Sequence, residues 1–124
     1  MTDDLALIVA AAQEAGALAR DMRRHGLEVT YKPEDNSPVT NADLAADALL
    51  TERLRGARPD YGWLSEETAD DTERLTRRRI FVVDPIDGTR AFLNDRPWWS
   101  VSIAVVEDGR AIAGVVFAPE FEET

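Results

Sequence analysis

Apolar residues recur at helical spacing in the N-terminal part of the chain. Acidic residues open this segment and Arg23 and Arg24 close it, which is the charge order that the helix dipole favours. The pattern predicts an amphipathic helix that ends near Gly26. Its apolar face is expected to consist of Leu5, Ile8, Ala12, Ala15, Ala19 and Met22.

A polar segment separates this helix from a second one. Residues 31–38 carry two prolines among polar residues and show no periodicity, so they predict a loop. Thr40, followed three residues later by Asp43, has the form of a capping box that opens a helix, and capping alone is one interpretation of Asp43. This helix is expected to stop before Gly56. Its apolar positions are expected to be Leu44, Ala48, Leu50 and Leu54.

The second half of the chain has the shorter apolar runs that are typical of β-strands. Residues 80–83, IFVV, lie between charged segments and predict a strand buried on both faces. Residues 100–106 alternate, residues 111–117 form another apolar run, and the Asp-Gly pair at 108–109 predicts a tight hairpin between them. The pattern therefore predicts an α+β fold, a layered sandwich of N-terminal helices packed on a mainly antiparallel sheet.

Length and charge narrow the classes of function. The chain has 124 residues, enough for one domain, and a net charge of −10, which disfavours nucleic-acid polymers and anionic membranes. The sequence has no cysteine, which excludes disulfides, thiolate zinc sites and thiol nucleophiles. The acidic start and the shortness of the apolar runs predict a cytoplasmic protein with no membrane association.

Residues 84–89, DPIDGT, follow the predicted buried strand and precede a short helical segment. Asp84 and Asp87 can converge on one hard cation, and the Ile86 carbonyl can add a further oxygen, a donor set that suits Mg²⁺ or Mn²⁺. Gly88 lets the backbone approach an oxyanion closely, next to free N–H groups. These residues predict adjacent metal and phosphate sites, and a plain Asp-Pro, Asp-Gly turn is the alternative.

Two glutamates end another apolar stretch, residues 62–64. Either Glu66 or Glu67 could join the two aspartates if this stretch packs beside the predicted strand at 80–83. Carboxylates around two divalent ions would form a hydrolytic site in which Thr89 could orient a water molecule. The alternative interpretation is a glutamate pair that only faces solvent.

Three motifs, in this order, resemble the inositol monophosphatase family of magnesium-dependent, lithium-sensitive phosphatases: residues 39–43 (VTNAD), 65–68 (SEET) and 84–92 (DPIDGTRAF). Residues 61–68 are most similar to the bacterial branch of 3′(2′),5′-bisphosphate nucleotidases. The resemblance covers essentially the whole chain but corresponds to only the N-terminal half of the family's catalytic unit, without its later Trp-Asp motif. It implies that residues 1–124 form a single, incomplete N-terminal domain of the inositol monophosphatase fold.

The resemblance implies a set of metal ligands. These are Glu66, Asp84, Asp87 and the carbonyl of Ile86, which would hold about two or three Mg²⁺ ions per complete site, with Mn²⁺ as an alternative. Lys32 lies in the loop that, in the family, approaches the site and helps to bind a further metal.

The resemblance also implies roles in catalysis and in phosphate binding. Thr89, paired with Glu66, would position the attacking water, and Asp43 would support the network of metal and water. The backbone N–H groups of Gly88 and Thr89 would hold the phosphate, and Glu67 would lie beside the ligands.

The function implied is that of a Mg²⁺-dependent phosphomonoesterase acting on a small phosphorylated metabolite, a 3′(2′),5′-bisphosphate nucleotide or an inositol monophosphate. The chain is expected to form a homodimer or to pair with a missing C-terminal half. One alternative is a non-catalytic, metal-binding half-domain that needs that half or a partner chain. Another is a haloacid-dehalogenase-like phosphatase with Asp84 as nucleophile. In that class one residue separates the two aspartates, whereas two separate Asp84 from Asp87.

Overall fold

The computed structural model of the chain describes residues 3–67 and 72–121. Two helices pack on one face of a four-stranded sheet, and a small hairpin lies between the helices in sequence. The helices are α1 (Asp4–His25), α2 (Asn41–Leu50) and α3 (Thr89–Leu93), with a π-helical turn at Thr51–Arg55 and a 3₁₀ turn at Thr72–Thr76. The strands are β1 (Val29–Tyr31), β2 (Pro38–Thr40), β3 (Gly62–Ser65), β4 (Arg79–Asp87), β5 (Ser100–Glu107) and β6 (Arg110–Phe117).

Helix α1 forms where the sequence predicts it. Asp3 caps its first turn by accepting a hydrogen bond from the Leu5 amide at 2.9 Å, and the helix ends at Gly26, whose φ of 99° stops the helical path. Most of the predicted apolar face is buried. Leu5 is the exception, with 45% of its surface exposed, because it borders an open cavity shared with Arg58 and Arg79.

Helix α2 begins at the predicted capping box, in which Asp43 accepts from the Thr40 amide and Thr40 accepts from the Asp43 amide. The predicted apolar face was wrong at Leu44 and Ala48, which are exposed. The residues that pack inward are Ala42, Ala46, Leu50 and Leu54. Small alanines let α2 approach α1 closely, so side-chain size decides the packed face more than hydrophobicity does. After α2 the helical path continues through the π-helical turn to Ala57, beyond the predicted end of the helix.

The polar segment at 31–38 is flanked by a hairpin that the sequence did not indicate. Strands β1 and β2 are antiparallel, and Tyr31 pairs with Pro38, so both ends of the predicted loop belong to strands. Strands of three residues give too few positions for an alternating pattern to be recognised. The hairpin nevertheless places Lys32 of this loop beside the end of β3, where it contacts Glu66 and Glu67.

The four-stranded sheet has the order β3-β4-β5-β6, parallel between β3 and β4 and antiparallel elsewhere. The predicted α+β layering is confirmed, and the Asp-Gly turn is present, with positive φ at Asp108 and Gly109. Burial of β4 on both faces was wrong. Phe81 and Val83 are buried under the helices, whereas Ile80 and Val82, on the other face of β4, are only half-buried.

The parallel pairing of β3 with β4 is the feature that positions the site. Carboxyl ends of parallel strands lie at the same edge of a sheet, and here the Glu66 amide donates to the Val83 carbonyl at 3.3 Å. The segment after β3 therefore runs beside residues 84–89. In the part of the chain that the structure describes, no helix has the length and apolar character needed to cross a membrane.

Candidate functional site

A cavity of about 330 Å³ opens at this edge of the sheet. It brings together most of the residues that the sequence singled out. Its lining consists of Lys32, Ser37, Pro38, Glu66, Glu67, Asp84, Ile86, Gly88, Thr89 and Arg90. The other two predicted residues do not line it: Asp43 is buried behind the cavity wall and Asp87 is exposed to solvent.

An irregularity at the end of β4 brings its two aspartates near each other. Asp84 pairs with Ser102 and Asp87 with Ser100, so β4 carries one residue more than β5 in this stretch, which is a β-bulge. Residues three apart in a regular strand face opposite sides. The bulge interrupts that alternation, and the charge of Asp87 contributes to raising the pKa of the Asp84 carboxyl.

Gly88 turns the chain from β4 into α3. Its φ of 89° lies in the left-handed region, and a Cβ at this position would stand 3.0 Å from the Trp98 carbonyl oxygen. Only glycine fits both the backbone angle and this contact. Thr89 then starts α3, where the first amides of a helix have no acceptor within the helix.

Asp43 connects the start of α2 with the start of α3. One of its carboxylate oxygens, Oδ2, accepts from the Thr40 amide at 2.8 Å and from the Thr40 hydroxyl at 2.6 Å. The other, Oδ1, lies 3.1 Å from the Thr89 hydroxyl, which is also 3.1 Å from the Ile86 carbonyl oxygen. One carboxylate oxygen of Asp43 therefore serves the capping box, which confirms the capping interpretation, and the other faces the Thr89 hydroxyl of the cavity lining. A role of Asp43 in the site stays a prediction.

The Asp84 carboxyl is hard to ionise in this setting. Burial, followed by the charges of Asp87, Glu66, Glu67 and Asp43, raises its pKa to about 6. These four carboxylates come from the segment after β3, the end of β4 and the start of α2. An accumulation of negative charge of this kind is typical of a cation site.

Lys32 is the cation that reaches into this cluster. Its ammonium group lies 3.5 Å from the Glu67 carboxylate and 3.5 Å from the Glu66 carbonyl oxygen. Burial raises the pKa of Glu67; Lys32 opposes the shift, while Asp43 and Asp47 add to it. The loop of the hairpin therefore closes over the end of β3 through an ion pair.

Sequence reasoning missed one buried contact behind the glutamates. Asp47 accepts from the Ser65 hydroxyl, and Ser65 in turn accepts from the Glu67 amide at 3.2 Å. This relay fixes the direction of the chain after β3. The spacing could have revealed it, because Asp47 is four residues from Asp43 and so shares its face of α2. Ser37, Pro38 and Arg90 of the lining were missed as well, and Thr68, the last residue of the second motif, lies outside the described residues.

Comparison with known proteins decides the family, since the family model described as the inositol monophosphatase family matches residues 1–124. The chain belongs to this family. It is 39% identical over 119 residues to the 3′(2′),5′-bisphosphate nucleotidase CysQ of Aggregatibacter actinomycetemcomitans, covering 94% of this chain and 44% of the relative. It is 41% identical over 123 residues to a histidinol-phosphatase of Mycobacterium tuberculosis, covering 97% of this chain and 45% of that protein.

The structural neighbours agree with the predicted family. The IMPase of Thermotoga maritima superimposes with a TM-score of 0.87 at 30% identity, covering 98% of this chain and 46% of that one. CysQ of Bacteroides thetaiotaomicron gives a TM-score of 0.71 at 29% identity, with coverages of 90% and 40%. The chain thus spans less than half the length of the curated relatives named above. Membership of the inositol monophosphatase family counts against the alternative of a haloacid-dehalogenase-like phosphatase with Asp84 as nucleophile.

Members of the inositol monophosphatase family generally depend on metal, and the donor types at this site match that requirement. All the candidate donors are oxygens, three carboxylates and one carbonyl, which is the chemistry that Mg²⁺ and Mn²⁺ prefer. Within residues 3–67 and 72–121, no three acidic or histidine side chains already stand in a ready-made metal-binding arrangement. The residues fit the metal by donor type, and three of the four, Glu66, Asp84 and Ile86, line one cavity, while Asp87 lies outside its lining.

Proposed function

We propose that this chain is the N-terminal part of a Mg²⁺-dependent phosphomonoesterase that hydrolyses a small phosphorylated metabolite with an activated water. The observation that carries the proposal is the cavity that Thr89 lines together with three carboxylates, Glu66 and Glu67 after β3 and Asp84 near the end of β4. Family membership supports it, since relatives of similar identity are named as phosphatases and nucleotidases.

Four residues would hold the metal: Glu66, Asp84, Asp87 and the carbonyl of Ile86. A divalent ion bound there would act as a Lewis acid and lower the pKa of a water molecule. The raised pKa of Asp84 supports this assignment. The neighbouring carboxylates disfavour the ionised form of Asp84, and a cation bound among them would relieve that repulsion. Lys32 would partly neutralise the same cluster through Glu67.

Thr89 is suited to orient the attacking water. Its hydroxyl has one proton and two lone pairs, and Asp43 is an ionic acceptor 3.1 Å away. Donation to Asp43 leaves the Ile86 carbonyl free to serve as a metal ligand and leaves the lone pairs of Thr89 to accept from water. Glu66, the partner of Thr89 that the family resemblance implies, lines the same cavity, and that pairing stays a prediction.

The phosphate would lie against the backbone N–H groups of Gly88 and Thr89. The absence of a side chain at Gly88 leaves its amide accessible, and its positive φ turns the chain sharply at this point. Arg90, an exposed cation in the cavity lining, would add charge complementarity for an anionic substrate.

The relatives and the size of the cavity support the choice of a substrate class. A volume of about 330 Å³ is at the small end of the range for ligand pockets and suits a small metabolite. Because CysQ proteins recur among the relatives, we propose a 3′(2′),5′-bisphosphate nucleotide first and an inositol monophosphate second. The partner would be a second copy or a C-terminal half.

The test measures phosphate release from adenosine 3′,5′-bisphosphate and from inositol 1-phosphate, with and without Mg²⁺, for the wild type and for Asp87→Asn. Glu28→Gln, an exposed site distant in sequence, is the matched control. We expect Mg²⁺-dependent release that is lost in Asp87→Asn and kept in the control. Metal-independent release, or an active Asp87→Asn variant, would contradict the metal assignment.

The coverage of the relatives favours a second candidate, a metal-binding half-domain that is not catalytic alone. Thermal unfolding with and without Mg²⁺ separates the two. A Mg²⁺-dependent rise in melting temperature that Asp87→Asn abolishes, without phosphate release from either substrate, would favour the half-domain. No rise and no release would contradict both proposals.

A further inference from the structure

Helix α3 is too short to hold its own position. It has five residues, and helices of this length are unstable in water without tertiary contacts. It nevertheless carries Thr89, whose hydroxyl direction matters to the proposed chemistry. Its near end is fixed by the contacts of Thr89 with Asp43 and with the Ile86 carbonyl. The C-terminal end of α3, its far end, needs a tertiary contact as well.

Arg23, in the last turn of α1, occupies that far end. Its guanidinium donates to the carbonyl oxygens of Phe92 at 3.2 Å and of Arg96 at 2.9 Å. The last carbonyls of a helix have no intrahelical partner, and a cation there is favoured by the helix dipole. A charged side chain from 69 residues earlier in the sequence thus caps the end of α3.

The Arg23 side chain is itself rigidly held. It forms an ion pair with Glu120, and its guanidinium carbon lies 5.1 Å from the centre of the Phe92 ring and 5.4 Å from that of the Trp99 ring. Only 13% of the side chain is exposed. The two rings pack edge to face at 4.7 Å and belong to a buried cluster of their own. The guanidinium therefore has one well-defined orientation.

We propose that Arg23 is a positioning residue for the site: it holds the far end of α3 and thereby fixes the direction of Thr89. The segment 88–96 is then clamped at one end by Asp43 from α2 and at the other by Arg23 from α1. Nη1 of Arg23 donates to both carbonyls while Nη2 pairs with Glu120, and the single ammonium group of a lysine could not hold all three partners in this geometry. The effect on turnover rests on the proposed function, whereas the effect on the order of α3 does not.

Amide hydrogen exchange tests the structural part directly. The amides of Phe92, Asn94 and Arg96 all donate within the segment, to carbonyls between residues 88 and 91, so their exchange reports its opening. We expect Arg23→Ala to speed their exchange by about tenfold or more, the size expected for losing hydrogen bonds to a charged group. Arg24→Ala, an exposed neighbour on α1, is the matched control and should leave exchange unchanged.

Two results would overturn the proposal. One is exchange at these amides that stays at the wild-type rate in Arg23→Ala. The other is acceleration that is just as large in the β5–β6 hairpin, because that would show general loosening of the fold. If Arg23→Ala does not fold, Arg23→Lys decides: local acceleration supports the proposal and wild-type exchange overturns it.

Turnover provides the second arm where the wild-type chain releases phosphate. We expect Arg23→Ala to lower kcat per folded molecule about tenfold while KM changes about twofold or less, with partial recovery in Arg23→Lys. A purely structural role would lower the folded fraction and leave kcat per folded molecule intact, which would overturn the positioning role. A wild-type chain without activity would count against the proposed function, and hydrogen exchange would still decide the role of Arg23.

Discussion

Replacing Asp84 by Asn should stabilise the folded chain near neutral pH. In the folded state the pKa of Asp84 is about 6, above the usual 3.8, because burial and the charges of Asp87, Glu66 and Glu67 disfavour its ionised form. The folded state therefore binds the proton more tightly than the unfolded chain, and the free energy of unfolding falls as pH rises through the window between these two values. Asn has the same shape and removes this penalty.

The magnitude follows from the size of the shift. A difference of about two pKa units corresponds to about 3 kcal/mol, and partial solvent screening of a half-buried carboxyl lowers this to about 1–3 kcal/mol. Each kcal/mol raises the melting temperature of a chain of this length by about 4 °C. Asp84→Asn should accordingly melt about 4–12 °C higher than the wild type near neutral pH and at a similar temperature near pH 4.

Urea unfolding from about pH 4 to pH 8, with a chelator present, measures the effect. The difference between Asp84→Asn and wild type should grow as pH rises, while Glu28→Gln should show no such growth. Adding Mg²⁺ should raise the stability of the wild type and not that of the variant, since the variant lacks one proposed ligand. A stability difference that is flat with pH, or a less stable variant near neutral pH, would refute the reasoning about the carboxylate cluster.

Substitutions at three further positions test the segment around α3. Thr89→Ala should lower kcat at least about tenfold with little change in KM, Thr89→Ser should retain most activity, and an unchanged kcat in Thr89→Ala would remove its hydroxyl from the mechanism. Asp43→Asn should cost about 1–2 kcal/mol in urea unfolding, because an amide cannot accept from both Thr40 and Thr89 with separate oxygens; an unaltered midpoint would contradict its double role. Gly88→Ala should cost about 1–2 kcal/mol from its positive φ, with further loss from the Trp98 contact, and a variant as stable as the wild type would refute the steric argument.

Elements with a strong periodic pattern could be predicted from the sequence. The packed face of α2 and the β1–β2 hairpin could not. Helix α1, β5 and the Asp-Gly turn formed as expected because spacing and turn chemistry determine them locally. The face of α2 could not be predicted from hydrophobicity, since Leu44 points to solvent while Ala46 packs inward. That choice depends on how closely α1 approaches, which is a tertiary property. The β1–β2 hairpin was missed for a similar reason, because its pairing shows only when both strands are in place.

For the site, order and spacing predicted residue types that do meet, but not how they are held. Residues after β3 and β4 adjoin because these strands are parallel, a fact that the apolar runs alone do not give. The relay through Asp47 and Ser65 and the clamp of Arg23 on α3 join residues far apart in the sequence. Contacts of this kind arise from the fold, and a single sequence carries little trace of them.

The contacts of Asp43 suit one residue to both the stability of α2 and the proposed chemistry. A capping box requires an acceptor at the third position of a helix, which glutamate or aspartate supplies with one oxygen. The second oxygen of that carboxylate is then fixed in direction at no additional conformational cost, and in this fold it faces the Thr89 hydroxyl. The capping box thus provides an acceptor whose direction is already fixed. Changing Asp43 should therefore weaken both the stability of α2 and the orientation of Thr89. Changing Thr89 should affect the site and leave the stability of α2 intact.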